Sequence, residues 1–149
     1  MAENLKVKYR GGACYKFNFE KCAKDGEHYD WENAMKVCPS GWHLPSKKEF
    51  ETLIATVGGS SVAANKLKSK YGWKDRNGVD VYGFSAIAAG YRNDATWMEK
   101  DNLGVGAHFW SSSKSGEGMY SLYLSNFSDN VKFNVNRKWT GFSVRCVKD

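Results

Sequence analysis

Met119-Tyr-Ser-Leu-Tyr-Leu-Ser125 alternates residue by residue, with Tyr120, Leu122 and Leu124 on one side and Met119, Ser121, Tyr123 and Ser125 on the other. Asn130-Val-Lys-Phe-Asn-Val-Asn136 repeats the pattern, setting Val131, Phe133 and Val135 against Lys132, Asn134 and Asn136. Two such runs joined by a short polar loop predict an antiparallel pair with one apolar face. His108 to Ser112 reads as a further short strand, and Phe142, Val144 and Cys146 give a closing strand its inner face. The last forty residues therefore read as an antiparallel sheet.

Upstream the period changes. Asp30 is placed to cap a helix over Trp31 to Val37, with Trp31, Ala34, Met35 and Cys38 on one face, ended by Pro39-Ser-Gly41. Ser46 with Glu49 three residues later is a capping box. Phe50, Leu53, Ile54 and Val57 then form a helical stripe that stops at Gly58-Gly59. A weaker helix spans about Ser61 to Ser69, with Val62, Ala63 and Leu67 inward. The first thirty residues read as irregular, with turns at Gly11-Gly12 and Asp25-Gly26. Early helices packed on a late, mainly antiparallel sheet make the chain α+β. No linker or internal repeat divides it, so residues 1–149 read as one domain.

Composition narrows the function. The 149 residues include 22 aromatics (6 Trp, 8 Tyr and 8 Phe), too many for a disordered chain. The longest apolar-leaning stretch, Phe84 to Tyr91, falls far short of the roughly 20 residues a bilayer span needs. The formal net charge of +6 is dispersed, with no block of like charges and no nucleic-acid-binding signature. A solvated Lys-rich surface accounts for it, and no nucleic-acid partner is expected.

The cysteines stand at 14, 22, 38 and 146, without metal-type spacing. The favoured pairing is Cys14–Cys22 as a local staple and Cys38–Cys146 as a clasp on the C-terminal strand. Four buried thiols in a reducing compartment are the alternative. Met1-Ala-Glu-Asn-Leu-Lys6 lacks the features of a signal peptide.

Catalytic chemistry has no visible seat. His28, His43 and His108 are scattered, and the nucleophile, phosphate-loop and dinucleotide motifs are missing. His43 precedes the capping box, where a structural role is expected. Asp75-Arg-Asn-Gly-Val-Asp80 offers oxygen ligands in a turn but fails the EF-hand spacing, so an ordinary polar turn is favoured over a structural calcium. No cofactor is expected. Along 95–139, by contrast, Trp, Tyr, Phe and Met stand beside Ser, Asn, Gly and Lys, the composition of a binding surface.

Several ordered stretches resemble one family. Met1-Ala-Glu-Asn-Leu5, Tyr29-Asp-Trp-Glu-Asn-Ala-Met35, Cys38-Pro-Ser-Gly-Trp-His-Leu-Pro-Ser46, Gly83-Phe-Ser-Ala86, Ala89-Gly-Tyr-Arg92, Phe109-Trp-Ser-Ser112 and Gly141-Phe-Ser-Val-Arg-Cys-Val-Lys-Asp149 are similar to the Fibrobacter succinogenes major paralogous domain. The resemblance implies an exported or lipid-anchored protein, extracellular or on the outer membrane. It also implies that Met1 is internal to a longer chain, which explains the missing export signal. His43-Leu-Pro-Ser-Lys-Lys-Glu-Phe-Glu51 is similar to a segment of the formylglycine-generating-enzyme family, implying a C-type-lectin-like fold. That enzyme's copper-binding cysteine pair has no counterpart here, and neither do the calcium-dependent sugar triplets of true C-type lectins. Residues 92–149 resemble the variable segment of diversity-generating-retroelement proteins, framed by Phe109-Trp-Ser-Ser112 and Gly141-Phe-Ser-Val-Arg145.

The expectation is a monomeric, non-enzymatic surface module that binds a protein or glycan, with protein slightly favoured because Met and Lys join the aromatics. Its expected contacts are Trp97, His108, Met119, Tyr123, Phe127, Lys132, Asn134, Asn136, Arg137 and Trp139. Tyr120, Leu122, Val131, Phe133, Phe142 and Val144 are expected as scaffold on the opposite face. A structural or adhesive envelope domain without a discrete ligand is the second reading, and an enzyme the third. Among the aromatics, Trp31, Trp42, Trp73, Phe84, Phe109 and Trp110 are expected in the core.

Overall fold

In a computed structural model of the chain, residues 1–8, 19–92 and 102–149 are described. The order is α1 (Phe19–Asp25), α2 (Trp31–Ala34), β1 (Trp42–His43), α3 (Lys47–Thr56), α4 (Ser60–Leu67), β2 (Gly106–Ser115), β3 (Gly118–Ser125), β4 (Val131–Asn136) and β5 (Val147–Lys148). Strands β2, β3 and β4 form an antiparallel sheet in that order, and β1 pairs with β5 in a second, two-stranded one. The fold is α+β, with short helices and antiparallel sheets.

Register fixes the faces. Tyr123 lies opposite His108 on β2 and Lys132 on β4, while Leu122 lies opposite Phe109 and Phe133. One face of the sheet therefore carries Phe109, Leu122, Leu124, Val131 and Phe133, which pack with Phe50, Ile54 and Val57 at α3 and Ala63 and Leu67 of α4. The other face starts a second core in which Trp110 and Met119 meet Tyr29, Trp31, Phe142, Val144 and Cys146. Two indole N–H groups pin this cover to β2 and its surroundings: Trp110 Nε1 donates to Tyr29 O at 2.7 Å, and Trp31 Nε1 to Ser111 O at 2.8 Å.

Local signals explain α3. Ser46 Oγ accepts from Glu49 N at 3.2 Å and the Glu49 carboxylate accepts from Ser46 N at 2.8 Å, closing the capping box. A further free amide of the first turn, Lys47 N, donates to Ser113 Oγ at 3.0 Å. Ser113 lies where the β2–β3 pairing shifts register between Trp110 and Lys114, so this irregularity beside Phe109-Trp-Ser-Ser112 docks the helix.

Several expectations need correction. Asp30 caps α2, accepting from Asn33 N at 2.9 Å, but the helix ends at Ala34 and Met35 is exposed. Pro39 disfavours helical backbone at Cys38, and the chain turns instead to bring Val37 and Cys38 onto the second core. In α4 the inward residues are Ala63, Ala64 and Leu67, with Val62 outside. Small residues suit that face, because Ala64 N donates to Asp129 O at 2.9 Å in the β3–β4 turn. α1 falls in a region read as irregular, its seven residues being too few to show a stripe. Val135, expected on the apolar face of β4, is 53% exposed. The closing segment is regular only at β5; Phe142, Val144 and Cys146 are buried, but so are Ser143 and Arg145 between them.

The expected clasp is present. Cys38 and Cys146 form a disulfide with Cα atoms 5.8 Å apart and a sequence separation of 108. Cys14 lies outside the described residues, and with it the expected Cys14–Cys22 staple.

Candidate binding face

The second face of the β2–β3–β4 sheet is covered around Trp110, Met119 and Ser121 but opens beside His108 and Tyr123. There a cleft of about 330 Å³ is bounded by Tyr91, His108, Tyr123 and Phe142 and by the polar side chains of Asn102, Asn136 and Thr140. The aromatic groups form a stack. The His108 ring lies 4.7 Å from Phe142 at 12° and 4.6 Å from Tyr123 at 31°, with Tyr91 edge-on at 5.4 Å.

Two glycines give this geometry room. A Cβ on Gly106 would stand 2.9 Å from Tyr123 Cε2, so only glycine lets the phenol lie back across β2. A Cβ on Gly141 would meet Arg92 Cβ and Nε at 2.7 Å. Its absence allows the paired backbone bonds between Arg92 and Gly141, 2.9 Å each way, that hold the Tyr91 and Phe142 walls together.

Among the described residues, His108 is the one acidic or basic side chain that lines the cleft. Burial, and secondly the neighbouring His28, push the His108 pKa down to about 3, so the imidazole is neutral. Its Nδ1 is sealed from solvent and meets no hydrogen-bond partner among the described residues. Asn136 is held on the sheet by donating from Nδ2 to Ser121 Oγ at 2.8 Å, which leaves its Oδ1 as the acceptor of the amide.

The ten expected contact residues do not form one patch. His108, Tyr123 and Asn136 meet in the cleft. Lys132 is exposed opposite Tyr123, and Asn134 is half-buried opposite Ser121. Met119 is corrected to a core residue, 7% exposed within the second core. Phe127 (70% exposed) sits in the β3–β4 turn and Trp139 (48%) beyond the other end of β4, with the Arg137 guanidinium 6.0 Å from its ring. The six residues of β4 separate those two aromatics, about 20 Å at roughly 3.3 Å per residue. Trp97 lies outside the described residues. Sequence reasoning missed Tyr91, Asn102 and Thr140 and placed Phe142 in the scaffold. Their signal was proximity to the framing motifs, since Tyr91 belongs to Ala89-Gly-Tyr-Arg92 and Thr140 and Phe142 flank Gly141.

Other polar features are engaged structurally. In the Asp75–Asp80 turn, Asp75 accepts from the Asn126 amide, Asn77 Oδ1 from Trp73 N, and Asp80 from the Ser85 amide and hydroxyl. Among the described residues no group of three or more His, Cys, Asp or Glu is arranged to hold a metal. His43 bridges Glu49 Oε1 (2.7 Å) and Asp149 Oδ1 (2.6 Å), which raise its pKa, Asp149 more strongly.

Arg145 ties distant motifs together. Its guanidinium donates to Asn4 Oδ1 at 2.7 Å, to Ser85 O at 2.9 Å and to Phe84 O, and it lies 4.4 Å over the Phe84 ring. Burial lowers its pKa to about 10, yet it stays charged at neutral pH with three oxygens to receive its protons. One side chain thus joins Ala2-Glu-Asn-Leu5, Gly83-Phe-Ser-Ala86 and the C-terminal motif. A family model described as the Fibrobacter succinogenes major domain matches residues 1–148. The chain belongs to that family. In this Fibrobacter major domain Arg145 holds motif segments together and does not line the cleft. No curated protein and no solved structure matches the chain. The family and the Cys38–Cys146 disulfide are compatible with an extracellular location. No helix among the described residues is long and apolar enough to cross a membrane.

Proposed function

We propose that this Fibrobacter major domain is a non-enzymatic surface module that binds its ligand in the cleft over β2, β3 and β4. The supporting observation is convergence: His108, Tyr123 and Asn136, from three strands, meet Tyr91 and Phe142 in one concave site. The reading includes a C-type-lectin-like arrangement and a display segment over 92–149, monomeric and exported. Diversification of that segment is part of the proposal and is supported by its Tyr, Asn, Ser and Lys content between the Phe109-Trp-Ser-Ser112 and Gly141-Phe-Ser-Val-Arg145 motifs. A reverse-transcriptase gene beside a near-repeat of codons 92–149 is the expected genomic signature.

The direct test is capture from glycan arrays and from surfaces of neighbouring or host cells, comparing wild type with Tyr123→Ala. A saturable partner lost on that substitution is the expected result. Capture indifferent to Tyr123→Ala contradicts the assignment and favours an adhesive envelope role carried by exposed residues such as Phe127 and Trp139.

A further inference from the structure

Resting on the cleft as the binding site, we infer that its ligand is an uncharged, hydroxyl-bearing ring, a neutral sugar unit of a glycan, taken without a metal ion. Size is the first argument. A cleft of about 330 Å³ is at the small end of ligand sites, which run from roughly 300 to 1,000 Å³. It suits a single ring better than a protein face, which covers about 800 Å² per partner.

Chemistry is the second argument. A sugar ring offers an apolar C–H face and a rim of hydroxyl groups. The cleft offers the matching pair, with the Tyr123 and Tyr91 rings for the face and the Asn102 amide, Asn136 Oδ1 and the Thr140 hydroxyl for the rim. Among the described residues its lining holds no Asp, Glu, Lys or Arg, so a carboxylate or phosphate would lose water there without a counter-charge from them. Lys132 stands outside the lining, on the same face beside Tyr123.

His108 is the third and independent argument. Its ring lines the cleft, stacks against Tyr123 and Phe142, and carries a buried Nδ1 that nothing among the described residues satisfies. Unpaired buried polar atoms are uncommon in folded proteins, and of those in this chain His108 Nδ1 is the one on a residue that lines the cleft among the described residues. Once a shift of the Tyr123 or Phe142 ring uncovers it, a hydroxyl group, able both to donate and to accept, satisfies either tautomer of a neutral imidazole. The burial of Met119 also removes one of the two residue types that favoured a protein ligand.

The test uses the whole chain in EDTA on an array of neutral and acidic glycans. Saturation-transfer NMR with methyl hexosides and N-acetylhexosaminides follows. Neutral sugars should bind saturably in EDTA, with at least tenfold loss in Tyr123→Ala and Asn136→Ala and none in Phe127→Ala. Tyr123→Phe should retain binding, separating loss of the ring from misfolding. Binding confined to acidic glycans, or abolished by EDTA, overturns the inference. If no sugar binds but a protein partner is captured and lost on Tyr123→Ala, the sugar inference fails while the cleft remains the binding site. Sugar binding indifferent to both cleft substitutions overturns both readings.

Discussion

One face of the β2–β3–β4 sheet is core at one end and cleft at the other. Around Trp110 and Met119 it is closed by Tyr29, Trp31, Phe142, Val144 and Cys146, and Trp110 is fully buried. Beside Tyr123 and His108 the same face opens into a polar-rimmed hollow. Alternation along β3 is identical through both halves. What differs is a covering segment from the far end of the chain, pinned by Cys38–Cys146 and by Arg145. Period-2 patterning assigns a residue to a face; it does not say whether anything lies on that face.

The largest way to break the comparison is to release the cover. Replacing Cys38 and Cys146 together by Ala removes a cross-link spanning 108 residues, worth roughly 4–5 kcal/mol in the chain-entropy model. Urea unfolding should show that loss, and reduction of the wild type should approach it. Next, Met119→Ala should cost about 2–5 kcal/mol as a core truncation. Tyr123→Ala, four residues further along β3 on the same face, should cost only about 1 kcal/mol, the worth of an aromatic pair. Equal costs would mean that the two halves are not distinct.

Proton linkage sharpens the contrast further. His108 has a folded pKa of about 3, below its unfolded value of about 6.5. Its contribution is therefore intact above pH 6.5 and is lost as the pH falls from there toward 3, because the unfolded state takes up the proton first. Comparing urea midpoints at pH 7 and pH 4, His108→Phe should lose less stability than wild type. The smallest effect belongs to the exposed His43, whose pKa is raised by Asp149 and Glu49. Its contribution is present below pH 6.5 and fades as the pH rises through the raised value. An NMR titration should place the His43 pKa above 6.5, and Asp149→Asn should lower it.

The parts legible in sequence were those decided locally. Ser46 and Glu49 signal α3 within four residues, and β3 and β4 follow from strict alternation. Their register sets His108, Tyr123 and Lys132 on the face opposite Leu122 and Phe133. The Cys38–Cys146 clasp is an exception, a long-range contact expected once Cys14 and Cys22 are read as a local pair. What was not legible depended on contacts remote in the chain. Met119 is core only because Val144 and Cys146 return over it. The cleft forms because the Arg92–Gly141 pairing brings Tyr91 together with Thr140 and Phe142, while Asn102 O accepts from Gly106 N at the start of β2. Phe127 and Trp139 carry the same outward signal as Tyr123, yet the length of β4 puts them at opposite ends. Residue type announces exposure there, and topology decides company.

The central claim is that the open half of this face holds the ligand. The most direct measurement is capture by wild type, Tyr123→Ala and Phe127→Ala against one common panel of glycans and cell surfaces. The account predicts at least a tenfold loss for Tyr123→Ala and retention by Phe127→Ala. Retention by Tyr123→Ala with loss in Phe127→Ala would contradict it.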